Sequence, residues 1–129
     1  INRTLEQLTR NGLVYRYLTD DNLPGGEGAF ALATFWMVDA LTMSGRTEEA
    51  QQLFDGVADR ANHLGLFAEE FDPRTGIFLG NFPQAFSHVG LINSALYLGG
   101  ALGREHRAPA PIGSRAHRAE AGHDTGSAV

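Results

Sequence analysis

Two stretches of this chain are apolar on nearly every side of a helix, and they most constrain what it can become. Over residues 28–44, Phe30, Leu32, Phe35, Trp36, Val38, Leu41 and Met43 cover much more than one helical face. Over residues 84–98, Phe86, Val89, Leu91, Ile92, Ala95, Leu96 and Leu98 do the same. Helices of that kind are buried ones. Between them, residues 47–64 place Ala50, Leu53, Phe54, Val57, Ala61 and Leu64 in a single stripe, the mark of an amphipathic, outward-facing helix. Thr47 is its expected N-cap, with Glu48 and Glu49 suited to the first turn. The order is therefore inner, outer, inner. Three such helices cannot bury each other, so they require partner helices beyond these 129 residues.

The remaining segments are shorter. Ile1, Leu5 and Leu8 fall at helical spacing, and Asn11-Gly12 is expected to stop that helix. Residues 13–18 read as extended, and residues 19–27 as a loop dense in Asp, Asn, Pro and Gly. Residues 67–71 and 77–79 are expected to pair as a small hairpin over Asp72-Pro73-Arg74-Thr75-Gly76. Pro83 stands where a first helical position would be. The predicted division is a helical unit over residues 1–101 and a tail over residues 102–129. Ala, Pro, Gly, Ser, His and Arg dominate that tail, so disorder is expected. A chain that opens inside a helix also suggests a piece of something longer.

Composition excludes several functions. A net charge of −5 argues against nucleic-acid binding, which needs clustered cations. The absence of cysteine excludes disulfides and thiolate metal sites, and the five His have no metal-ligand spacing, so neither metal nor cofactor is expected. The longest apolar run, residues 28–38, is too short for a bilayer, and no targeting segment is visible, so the expectation is a cytoplasmic protein without membrane contact.

The candidate chemistry lies between the second and third of the main helical patterns. Glu69-Glu70 sits among Phe67, Phe71, Phe78 and Phe82. Paired Glu in a loop is usually solvated, but a carboxylate against aromatic walls is also where acid–base groups are tuned. Arg16, between Tyr15 and Tyr17, reads either as a stacked surface cation or as a hydrogen-bonding fork for a sugar. Gly25-Gly26-Glu27-Gly28 lacks the spacing of a phosphate loop and reads as a flexible helix start. His63 suits a helix C-terminus, and His88 a satisfied core or interface position.

Several runs resemble, in one colinear order over residues 1–100, the C-terminal catalytic region of bacterial glycoside hydrolase family 15. They are Gly25-Gly26-Glu27-Gly28-Ala29-Phe30, Thr34-Phe35-Trp36, Gly45-Arg46-Thr47-Glu48-Glu49-Ala50, Leu66-Phe67-Ala68-Glu69-Glu70-Phe71-Asp72-Pro73 and Gly80-Asn81-Phe82-Pro83-Gln84-Ala85-Phe86-Ser87-His88. The family holds glucoamylases, related α-glucosidases and some trehalases. The resemblance implies an all-α fold, part of an (α/α)6 barrel with alternating inner and outer helices and a small hairpin loop. It implies an inverting hydrolase acting on an oligosaccharide or disaccharide, either α-linked glucan or trehalose.

Inversion uses two carboxyl groups roughly 6.5–9.5 Å apart, one protonating the departing oxygen and one deprotonating the attacking water. By resemblance Ala68-Glu69-Glu70-Phe71-Asp72 makes Glu69 the general base and Glu70 a substrate-binding or orienting neighbour. Arg16-Tyr17 matches a sugar-contacting Arg-Tyr once a gap is allowed, so Arg16 is a second substrate-binding candidate. The general acid would lie upstream, outside this chain, so the remainder of the catalytic domain is an implied partner. The competing reading is a non-catalytic helical repeat or interaction module. Against it stands the 19-residue, Glu- and Phe-rich excursion at residues 65–83, where a solenoid needs a short turn.

Overall fold

The structure, a computed structural model, describes residues 1–19 and 27–104. The expected disordered tail lies, from residue 105 on, outside the described residues, as do His106, His117, His123 and residues 20–26 of the polar loop. Among the described residues four helices are joined by two small sheets. In chain order they are α1 (Asn2–Leu8), β1 (Thr9–Arg10), β2 (Leu13–Val14), β3 (Ala29–Phe30), α2 (Ala31–Met43), α3 (Thr47–Ala58), β4 (Glu70–Phe71), β5 (Phe78–Leu79) and α4 (Ala85–Ala101). The described residues are helix-rich, as expected, and the expected hairpin forms as β4 and β5; the further short strands β1, β2 and β3 are what the all-α expectation lacks. Strands β1 and β2 pair antiparallel, and β3, β4 and β5 form a three-stranded antiparallel sheet.

Each departure from the expected boundaries has a local cause. Asn11 and Gly12 both take positive φ, 51° and 73°, and join β1 to β2 as a two-residue hairpin turn instead of capping α1. Ala29 and Phe30 were expected inside the second helix. They pair instead with Phe71 and Glu70, and α2 begins only at Ala31, whose N–H donates to the Glu69 carbonyl at 3.0 Å. The stripe expected to reach Leu64 breaks after Ala58, because the Asn62 side chain accepts from the N–H groups of Leu64 and Leu66, both at 2.9 Å. Leu64 and His63 are consequently exposed. Thr47 is the first helical residue, not the cap. The preceding Arg46 forks onto Glu49 at 2.7 and 2.6 Å and reaches Asn2 at 2.6 Å. Pro83 likewise precedes the helix, since Gln84 is the N-cap of α4 and its side chain accepts from Phe86 N–H.

Helix α2 packs against both α3 and α4, and the core sits in that junction. Phe35, fully buried, meets Phe54 at 6.3 Å and Phe67 at 5.7 Å between ring centroids. Thr34, also buried, accepts from Val14 N–H and donates to the Phe30 carbonyl, which ties the first hairpin to α2. At the α2–α4 crossing the Ser94 hydroxyl is shared between the Phe35 carbonyl and Asp39 Oδ1, at 3.0 and 2.6 Å. Burial raises the Asp39 carboxyl above its ordinary range, and the Ser94 bond opposes that.

Close approach there depends on Gly90. A Cβ at that position would lie 2.8 Å from Leu32 Cδ1 and 3.1 Å from Phe35 Cβ. Gly90→Ala is therefore expected to destabilise the chain by about 1–3 kcal/mol through overpacking. Thermal unfolding checks this, and an unchanged or raised midpoint contradicts it.

The two helices read as apolar all round do keep an open apolar face. Trp36 on α2 is 59% exposed and Phe86 on α4 is 67% exposed, with Val89, Ile92 and Leu96 also open. No helix among the described residues is long and apolar enough to cross a membrane.

Candidate active site

The segment from Phe67 to Phe71 is fastened to both neighbouring helices before any side chain of interest is placed. Phe67 N–H donates to His88 Nε2 at 3.2 Å, and the Phe67 carbonyl accepts from Gln84 N–H at 2.9 Å. His88 Nδ1 lies 2.7 Å from the Gln84 carbonyl, so the tautomer follows from the partners: Nδ1–H donates and Nε2 accepts. The Ala68 carbonyl accepts from the Ser87 hydroxyl at 2.8 Å. Glu69 gives its N–H to the Asn81 carbonyl at 2.9 Å and its carbonyl to the start of α2. His88 thus anchors the loop, as its expected core role allows.

Side chains along this segment differ in burial. Phe67 and Phe71 turn into the core, at 1% and 0% exposure. The expected aromatic wall is in good part a floor: Phe67 packs on Phe35 and Phe71, and Phe71 on Phe78. Glu69 and Glu70 are half-buried.

The two carboxylates have different partners. Glu69 Oε2 accepts from the backbone N–H of Asn81 at 3.1 Å and from Asn81 Nδ2 at 2.9 Å. Gly80, at φ 70°, lies against it, and a Cβ there would sit 2.9 Å from the same oxygen. Glu70 Oε1 accepts from Arg16 Nη2 at 2.9 Å, and the Gly28 N–H also donates to this carboxylate. A Cβ on Gly28 would meet Glu70 Oε2 at 2.8 Å. Each acid is therefore approached by a glycine backbone that a side chain would obstruct.

Arg16 and Glu70, singled out 54 residues apart, meet in an ion pair that also contains Glu27. Arg16 Nε donates to Glu27 Oε1 at 2.7 Å. Its guanidinium lies over the Phe30 ring at 4.6 Å and the Tyr17 ring at 5.5 Å. Burial pushes the Glu70 carboxyl above the usual range, Glu27 adds to the rise, and Arg16 and the Gly28 N–H oppose it. The hydrogen bond to Glu27 raises the Arg16 guanidinium further above its high ordinary value. Arg16 is thus the stacked cation of one reading, and its hydrogen-bonding fork is engaged by Glu27 and Glu70 within the chain.

Two residues escaped the reading of the sequence. Glu27 was placed only as an acid near a helix start, and Asn81 was given no role. The one available signal was Asn81's place in the Gly80-Asn81-Phe82-Pro83 run. Open space adjoins the ion-pair cluster on two sides. A pocket of about 350 Å³ is lined by Arg16, Tyr15, Trp36 and Met37 among others. Another of about 370 Å³ is lined by Glu27, Gly28, Tyr15, Asp72 and Arg74 among others. Neither is lined by Glu69. Asp72 holds the hairpin turn by accepting from Arg74 N–H at 2.8 Å, the bond that chiefly lowers its carboxyl below the ordinary range.

Known proteins share this segment. The chain is 44% identical over 103 residues to a trehalase of Thermoplasma volcanium, covering 79% of this chain and 16% of that protein. It is 45% identical over 94 residues to a trehalase of Thermoplasma acidophilum, covering 72% of this chain and 16% of that one. A trehalase of Mycolicibacterium smegmatis is 47% identical over 96 residues, covering 72% of this chain and 14% of its own length. The chain thus spans only about a sixth of the relatives it matches. No solved structure matches it. The model for Glycosyl hydrolases family 15 matches residues 1–96, and with these relatives it shows that the chain belongs to that family of glycoside hydrolases.

Proposed function

We propose that residues 1–101 are the C-terminal portion of an (α/α)6-barrel catalytic domain, and that Glu69 is the general base of an inverting hydrolysis. The observation that carries this reading is the setting of Glu69: a half-buried carboxylate on a loop whose backbone is bonded to the starts of α2 and α4. Among the described residues both hydrogen bonds to it arrive at Oε2. Oε1 is then the oxygen that takes a proton from the attacking water. Rigid placement of this kind suits a base that must hold a water in line with a sugar carbon. The open apolar faces of α2 and α4 fit inner helices that pack on the rest of the barrel.

The relatives named trehalases favour trehalose over α-glucan as substrate. Water attacks one anomeric carbon of trehalose from the face opposite the glycosidic oxygen. That C–O bond breaks, the departing oxygen takes a proton from the acid, and Glu69 receives a proton from the water. Arg16 and Glu70 are the substrate-binding candidates. Because Arg16 is held between Glu27 and Glu70 in one fixed cluster, we assign these three residues the shape and polarity of the sugar site.

Proton nuclear magnetic resonance of early product tests the reading in the complete hydrolase. Inversion gives equal α- and β-glucose from trehalose, whereas α-glucose alone refutes it. The 129-residue chain by itself is expected to release no glucose from trehalose, maltose or soluble starch, because it lacks the acid, whose help is typically worth about 10²–10⁴-fold. Turnover like that of an intact glucosidase would refute the missing-acid reading.

A further inference from the structure

We infer that Asn81 is a positioning residue for the Glu69 carboxylate. The inference rests on the reading of Glu69 as the base. Asn81 is joined to Glu69 three times: it accepts the Glu69 N–H at its carbonyl, and it donates to Glu69 Oε2 from its own N–H and from Nδ2. The backbone bonds fix where residue 69 stands. The side-chain bond fixes how its carboxylate is turned, because two donors converging on one oxygen leave little freedom in the last torsion of the Glu side chain. They also select which oxygen faces the reaction. Oε2 is engaged, and Oε1 receives the proton.

Gly80 completes the device. Its left-handed backbone sets it directly against the carboxylate, where a Cβ would crowd both Oε2 and Glu69 Cβ, at 2.9 and 3.0 Å. Asn81 is exposed and outside the core, so its side chain supports no packing that would otherwise explain it. Among the described residues Glu70 has no such clamp; its partners there are Arg16 and the Gly28 N–H. The adjacent acids are therefore set differently, Glu69 by two donors of one Asn and Glu70 by a cation together with a glycine N–H.

The test is made in the complete hydrolase with Asn81→Ala, Asn81→Asp, Glu69→Gln and the double variant Glu69→Gln/Asn81→Ala. Asn81→Ala removes the amide donor and is expected to lower kcat by about 10²-fold, the loss typical of a misplaced reacting group, with KM for trehalose unchanged. Asn81→Asp keeps the shape but replaces the donor with a carboxylate facing Glu69, so kcat falls at least as far near neutral pH. Because the two residues act as one unit, Asn81→Ala adds nothing to the loss in Glu69→Gln. Thermal unfolding separates these losses from misfolding, and Asn81→Asp carries the test should the alanine variant fail to fold. Parental kcat in Asn81→Asp, or a raised KM at parental kcat, overturns the positioning role while an inactive Glu69→Gln leaves the base reading standing. An active Glu69→Gln overturns the base reading and this inference with it.

Discussion

Replacing Glu69 by Gln is expected to lower turnover by about 10²–10⁴-fold, the usual contribution of a positioned base. The fold should not change. The amide oxygen of Gln can still accept from Asn81 N–H and Nδ2, so the clamp is retained. The other branch becomes an NH₂ group that cannot take a proton from water. KM should change little, because the lost interaction is made in the transition state and not on binding. Steady-state kinetics with trehalose, beside the thermal unfolding of both proteins, check this in the complete hydrolase. Near-parental turnover would remove Glu69 from the role.

Arg16→Met is expected to cost about 2 kcal/mol near neutral pH, from the loss of two charge-assisted hydrogen bonds. The figure is kept low because the Arg16 side chain is 40% exposed and water screens the pair. Met keeps an unbranched apolar stem of similar reach against Phe30 and Tyr17. What is lost is the cation between Glu27 and Glu70, whose side chains are only 11% and 14% exposed.

The loss should depend on pH, with a sign that follows from Glu70. Its carboxyl is raised in the folded protein, so the fold binds that proton more tightly than the unfolded chain does. Stability from this group is complete below the unfolded carboxylate range and falls as pH rises through the raised value. Removing Arg16 takes away one of the influences that hold the value down, so the fall becomes larger. The destabilisation in Arg16→Met should therefore be larger near neutral pH than in acid. Thermal unfolding at both conditions decides it, and equal destabilisation would show that the charge cluster is not the cause.

The long periodic segments were legible because helical burial is a local pattern. The apolar residues of α2 and α4 and the stripe of α3 locate three helices, and the breaks at Gly45 and the Asn62 turn adjust their ends. The strands were not legible to the same degree. Ala29–Phe30 is two residues long, and only Glu70 and Phe71, some forty residues later in the chain, make it a strand. Asn11-Gly12 suits a helix stop and a hairpin turn equally, and pairing between Thr9 and Val14 decides between them.

The same division runs through the candidate site. Glu69 and Glu70 could be named from adjacent residues and a family resemblance. The Arg16–Glu27–Glu70 cluster could not be read as a unit, because no spacing rule joins positions 16, 27 and 70. Asn81 was invisible for a related reason: only the fold-back of the chain at Gly80 places its amide on Glu69.

The bond from Ala31 N–H to the Glu69 carbonyl has one more consequence. The first turn of α2 and the backbone of the proposed base are two ends of a single rivet. Any tilt of α2, including one imposed by a distant substitution on its open face, moves the carboxylate with it. Selection for catalytic rate would then constrain how this helix sits in the domain, and enzyme engineers could adjust reactivity from positions that never see the sugar.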